Sequence, residues 1–540
     1  MTVPQERSHP RYRPPKHLPY ELREHCVIYF EEELYTQSLT LLTNLLTSGT
    51  SFTTPSGDPV PAFVPTPQQL ALASTLVVHP RLTTRATSKE RLQASNVAYR
   101  LLRNVNKIVG PINADFATAF TFTQNVRGRG EGRRRASGDE SGEDPGMINS
   151  EIANEGSLWA RAEDFWHAVG WVFNCSVAYP KRWERWKLWL EFMLDVLEDD
   201  WVERSRIVGE EGGRSNNKPE EDLLAQSMIV RYLSGCKGSF GSKRRIIRAI
   251  FADGSAKSLG EFREIFKNEP RERKKKSGDT ETRRPVKVDI DQEVFGDYLD
   301  NDSDDDDVEE TSESTPAKPV EGHPHHAGEK ILVVGEQPQR VTTVSDGAER
   351  FGGMDSLVLR QRMLSLLSAV SARSNKYFTP LDDLYDMYIE HIRPLPLPSF
   401  SLLTLPVLPG VPPAYRSSFN QLLLATLIAS SAPVINEDNL SQEILETCYL
   451  PFPANTHSVL DNAKVSLLVE SLLRLQAVHA GLVFTSELGN AVEIGVQARE
   501  VKAKGGVRKK RDNLLREEEE SWVYLQASSQ RMKELVEALK

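Results

Sequence analysis

Cysteine is scarce and scattered: Cys26, Cys175, Cys236 and Cys448 are the four in 540 residues. None stands in a Cys-x-x-Cys pair, so the spacing excludes a zinc finger, offers no disulfide framework and suits a reducing compartment. Long apolar runs are lacking too. Nothing approaches the roughly 18 consecutive apolar residues of a membrane helix, and the opening MTVPQERSHPRYRPPKH has prolines and charges where a secretory signal has its apolar centre. An intracellular protein with no membrane partner is expected.

Catalytic signatures are missing as well. The chain has no Gly-x-Ser-x-Gly elbow, His-Glu-x-x-His pair, kinase set or dinucleotide fingerprint. The glycine-rich GCKGSFGSK fails as a phosphate loop because Lys243 follows Ser242 where a glycine is needed. His323, His325 and His326 have no cysteine or carboxylate at ligand spacing, so no metal is expected, and no cofactor either. His167 and Cys175 lie about two turns apart, roughly 12 Å along a helix, too far for a nucleophile and its base. The acid pairs Asp199-Asp200 and Asp382-Asp383 are expected at helix ends as caps or solvated groups. The expectation is a protein that is not an enzyme.

What the chain does have is tryptophan in one place. Seven of the eight lie between Ser157 and Val208. Leu158, Ala162, Phe165, Val169 and Val172 recur at steps of four and three, which predicts a helix with a broad apolar face closing before Pro180. After it, Trp183, Trp186, Trp189, Leu190, Met193, Leu194 and Leu197 form a second stripe. The pair predicts a helical hairpin with Trp166, Trp183, Trp186 and Trp189 in the core, where each ring buries roughly 150–250 Å².

The same periodicity predicts helices over 21–47, from Pro67 to Val77 and from Ser88 to Ile108, then three shorter ones over 221–234, 242–251 and 258–267. Beyond residue 352 it predicts a further series: 357–370, 381–389, 415–431, 439–449, 457–479, 485–501 and 507–539. No 34-residue period can be laid over residues 20–120, so the hairpins imply no known repeat. The fold class expected is all-α, an irregular helical-hairpin architecture, solenoid-like or bundle, in two helical blocks separated by a long charged disordered linker. The boundaries expected are a disordered N-terminus at 1–18, a helical region at 19–123, a disordered Arg/Gly/acidic loop at 124–150, and a Trp-rich core at 151–269. A basic-then-acidic linker follows at 270–351, then a helical region at 352–506 and a charged helix at 507–540 with only a partial seam of the coiled-coil type. Lys330 to Val334 is a lone strand-like run. Prolines 394, 396, 398, 406, 409, 412 and 413 predict an extended, apolar connector that either lies on the helices or receives a partner.

Two function classes fit. The first is a scaffold or adaptor whose partners are other protein subunits, in a nuclear assembly acting in chromatin or DNA maintenance. Arg271, Arg273, Lys274, Lys275 and Lys276 followed by Arg283 and Arg284 resemble a two-part import signal, and Arg508, Lys509, Lys510 and Arg511 form a second cluster; a cytoplasmic location is the alternative. Ser303 before Asp304 to Asp307 suits an acidophilic kinase, and Ser137 after Arg133 to Arg135 a basophilic one. The second class is a nucleic-acid-associated factor using Arg127, Arg129, Arg133 to Arg135, Lys243 to Arg248 and Arg271 to Lys276. The net charge of -10 argues against nucleic acid as the main partner.

Overall fold

The computed structural model describes residues 12–50, 59–123, 147–211, 223–235, 240–271, 344–405, 413–433, 440–479, 481–505 and 512–540. Helices dominate. A short parallel pair, β1 (Pro15–His17) on β2 (Ala62–Val64), ties the chain's start to α1 (Tyr20–Glu31) and α2 (Tyr35–Thr47). Then come α3 (Pro67–Val78), α4 (Lys89–Ile108), α5 (Phe116–Ala119), α6 (Leu158–Arg161), α7 (Phe165–Ala178) and the 32-residue α8 (Pro180–Glu211). This half ends with α9 (Met228–Ser234), α10 (Phe240–Ile250) and α11 (Ala256–Glu261). The other half holds α12 (Val344–Glu349), α13 (Met354–Arg373), α14 (Leu381–Ile392), α15 (Leu397–Thr404) and α16 (Pro413–Ala425). It continues with α17 (Gln442–Ile444) running into a π turn (Leu445–Tyr449), then α18 (Val459–His479), α19 (Ser486–Lys504) and α20 (Asp512–Ala538).

The helix starts follow from local chemistry. Thr66 and Gln69 form a reciprocal capping box with Pro67 in the first turn of α3; Ser88, Asp164 and Thr485 cap α4, α7 and α19. The predicted helix from Leu158 is broken, because Ala162 is extended and Asp164 accepts the His167 N–H to start α7 afresh. Pro180 is the first residue of α8, so Tyr179 alone makes the turn. Asp199 and Asp200 are not at a helix end: both lie inside α8, and buried Asp200 accepts from Arg204 Nε at 2.9 Å and the Met228 N–H at 2.8 Å. Asp382 and Asp383 do lie in the first turn of α14.

The tryptophans form the core of the first half. Trp166, Trp186 and Trp189 are wholly buried and Trp183 nearly so. Four indole N–H groups find acceptors, Trp159 on the Ala71 carbonyl, Trp166 on that of Tyr232, Trp189 on Ser74 Oγ and Trp186 on the Glu269 carboxylate, while Trp171 Nε1 is buried without one.

Four buried arginines close helix C-termini, where the last carbonyls lack intrahelical partners and carry partial negative charge. Arg13 takes the Leu46 and Ser48 carbonyls after α2 together with those of Val60 and Pro61, and Arg182 takes that of Val78 at the end of α3. Arg360 takes those of Ile250 and Ala252 after α10, and Arg499 those of Leu450 and Phe452 after the π turn. Each reaches across the sequence, so residues 12–18, expected as part of a disordered terminus, are fixed in place.

Three further boundaries move for the same reason, that buried apolar residues and hydrogen bonds extend past them. Ile148 is buried with its N–H on Gln68, the Arg271 N–H donates to the Asn268 carbonyl at 3.1 Å, and Phe351 is buried beside Arg360. The proline-rich connector is corrected in part. Pro396 and Pro398 occupy the cap and first turn of α15, where the missing N–H costs nothing, and the proline-free Ser399 to Thr404 completes a buried helix on α12 and α18. Residues 406–412 lie outside the described residues. The two helical blocks meet in one compact unit. Arg362 on α13 joins them, donating to Glu198 at 3.0 and 2.7 Å and to Asp195 at 2.7 Å on α8.

Candidate functional site

A cleft of about 870 Å³ opens between α4 and α8, lined also by Tyr12 and by Arg362 of α13. Helix α4 buries Ala94, Ala98, Leu101, Leu102 and Val105, which leaves Arg100, Arg103 and Lys107, at steps of three and four, as one exposed ridge. Across the cleft, α8 presents Asp195, Glu198, Asp199 and Glu203 from the side opposite its tryptophans. Four cations face four carboxylates, and the lining charge sums to zero.

The floor is strained electrostatically. Burial, with Asp195 and Glu198 nearby, raises the Asp199 carboxyl above its usual range, opposed by a 2.6 Å hydrogen bond from Asn106 Nδ2 and by Arg362. Burial with Asp199 and Glu203 pushes the Tyr12 phenol up to about 12. Asn106 is 7% exposed, and its Oδ1 has no partner.

The chain matches no family model and no curated protein.

Of the residues singled out in the sequence, Trp166, Trp183, Trp186 and Trp189 lie in the core as expected. Arg271 is exposed just after the last turn of the first half. Arg273, Lys274, Lys275, Lys276, Arg283, Arg284, Arg508, Lys509, Lys510, Arg511, Ser137, Ser303, the 127–135 arginines, the 323–326 histidines and the 330–334 run lie outside the described residues. On α10 the arginines are engaged within the fold: Arg244 with Glu390 at 2.5 Å, Arg245 with Asp164 at 2.6 Å and Glu163 at 3.1 Å, and Arg248 with Glu261 at 2.7 Å. His167 accepts the Glu163 N–H through Nδ1 and meets the Arg263 carbonyl through Nε2, and burial lowers its pKa, the behaviour of a neutral structural imidazole. Among the described residues, no group of three or more His, Cys, Asp or Glu side chains could hold a metal. No helix among them is long and apolar enough to cross a membrane.

The cleft was half legible. The spacing of Arg100, Arg103 and Lys107 can be read from one amphipathic helix. That Asn106, at the edge of its apolar face, would meet Asp199, 93 residues away, has no local signal.

Proposed function

We propose that this protein is a non-catalytic scaffold or adaptor subunit of a nuclear multiprotein assembly acting in chromatin or DNA maintenance. The observation that carries the protein-binding part is the cleft between α4 and α8. Its two walls have opposite sign and its total charge is zero, which complements a polypeptide carrying both signs and repels a polyanion from the α8 side. The arginines of α10, which a nucleic-acid reading would place on phosphates, are held by carboxylates of the same chain. The nuclear part rests on the basic clusters Arg271 to Lys276 with Arg283-Arg284, and Arg508 to Arg511.

Affinity purification from native extract, read by mass spectrometry, tests the adaptor reading: stoichiometric protein partners at physiological salt are expected, and a monomer eluting alone overturns it. Replacing Arg273 to Lys276 and Arg508 to Arg511 by alanine is expected to abolish nuclear accumulation of a tagged chain; an unchanged distribution removes the nuclear assignment.

A further inference from the structure

The polar groups of the α4–α8 cleft divide into those the fold satisfies and those it does not. Glu203 is held by Arg206 through bonds of 3.0 and 2.7 Å, and Asp195 and Glu198 by Arg362. Asp199 has one hydrogen bond, from the Asn106 amide, with Arg362 acting on it only through space, and Asn106 Oδ1 is buried without a donor. On the facing ridge, Arg100 and Lys107 have no carboxylate within ion-pair distance among the described residues, and Arg103 lies over the Tyr99 ring at 5.7 Å. The cleft thus combines buried acceptors on its floor with exposed cations along one wall.

These positions constrain what fits. Arg100 to Lys107 spans seven residues of helix, roughly 10 Å, which is about three residues of extended chain. In an extended segment alternate side chains point to opposite sides, so one side can face α4 while the other faces the floor. A floor offering a carboxylate beside an amide oxygen matches the planar fork of a guanidinium, which donates to both at once. The ridge beside it asks for carboxylates on the residues before and after.

Resting on the adaptor reading, we propose that the cleft takes an extended segment of a partner protein with the pattern acid–arginine–acid. Its arginine sits on Asp199 and Asn106, and its two carboxylates on Arg100, Arg103 and Lys107. The raised Asp199 pKa fits this, since a cation at that carboxylate offsets the cost of its burial and, after that, the repulsion from Asp195 and Glu198.

The test uses the full chain and fluorescein-labelled probes read by anisotropy: peptides centred on Glu-Arg-Glu, Glu-norleucine-Glu and Lys-Glu-Lys, and a DNA duplex. The Glu-Arg-Glu peptide is expected to bind about tenfold or more tightly than the other three, one order of magnitude being about 1.4 kcal/mol. Raising salt weakens it. R100E/K107E, two exposed positions whose exchange leaves the core untouched, is expected to lose that peptide and to prefer the same peptide with lysines flanking the arginine. Equal binding of the norleucine peptide or of DNA overturns the proposal, as does unchanged affinity in R100E/K107E. So does a dimer of the full chain that this variant dissolves, because a second copy is then the occupant. If native partners persist on R100E/K107E, the adaptor reading stands and the cleft assignment falls.

Discussion

The two halves of the molecule each bury a glutamate, and they solve the problem differently. Around α7 and α8 the core is aromatic. Glu269 lies in it with its side chain at 0% exposure, paired with Arg182 at 2% and bonded by Trp186 Nε1 at 3.2 Å and the Ile265 N–H at 3.3 Å. Burial raises its pKa, with Arg182 as the main opposing influence. In the other half the centre is α18, buried on nearly every side and enclosed by α15, α16, α19 and α20. Its Glu470 side chain is 1% exposed, but the partners Arg474 and Arg531 are 40% and 35% exposed. A buried charge whose counter-ion is also buried is committed to one geometry, whereas one whose counter-ions reach water can re-solvate by small movements. In the aromatic half the Trp186 indole N–H and the Arg182–Glu269 ion pair hold one another in a single geometry.

The strongest way to break this comparison is to delete the two glutamates. Glu269→Ala leaves Arg182 buried and unpaired and is expected to cost about 3–5 kcal/mol, as is Trp186→Ala, which removes a large buried ring. Glu470→Ala frees two arginines toward solvent and is expected to cost about 1–2 kcal/mol. Urea denaturation of the full chain compares them; equal losses would mean that exposure of the counter-ion does not matter.

Close packing gives a second contrast. A Cβ on Gly495 of α19 would stand 1.7 Å from the Leu450 carbonyl oxygen, a backbone atom, whereas one on Gly170 of α7 would stand 2.3 Å from the Phe262 ring. Gly495→Ala is expected to cost about 3 kcal/mol and Gly170→Ala about 1–2 kcal/mol, since a ring can swing where a backbone cannot. Thermal melts of both variants check the order.

A further effect expected is one of pH. His79 packs edge-on against Phe266 and accepts the Arg81 N–H through Nδ1. Burial first, then Arg81, Arg182, Arg161 and Arg85, lower its pKa from 6.5 to about 3. Between those values the unfolded chain binds a proton that the folded one refuses, so the contribution of His79 is present above pH 6.5 and is lost as pH falls toward 3. Urea midpoints across that window are expected to fall less steeply for His79→Asn, which keeps an acceptor and cannot charge. An unchanged slope would remove His79 from the acid response.

Helices and caps were legible in the sequence because each is decided within a few residues. Pro67 announces α3 and Ser88 announces α4, wherever they fold. The tryptophan hairpin was legible because apolar rings at helical spacing leave one face to bury. Misreadings came where a local rule depended on position. The prolines at 394–413 predict an extended chain, yet in a first turn proline breaks no bond, and α15 forms behind it. The Asp199-Asp200 pair suggests a helix end, because nothing local shows that partners 28 and 93 residues away hold these carboxylates inside α8.

By itself, then, the sequence determined an all-α chain with an aromatic core in its first half, because periodicity and capping are properties of short segments. Only tertiary structure decided which polar groups those helices would bury and what would satisfy them. Nothing local in the sequence marks Arg182, Arg360 or Arg499 as buried. They became the C-caps of helices from 49 to 110 residues away because only the fold brings a guanidinium to an unpaired carbonyl. The α4–α8 cleft belongs to the same class. Its ridge was written in one helix, but the buried floor of Asn106 and Asp199 exists only where two helices cross.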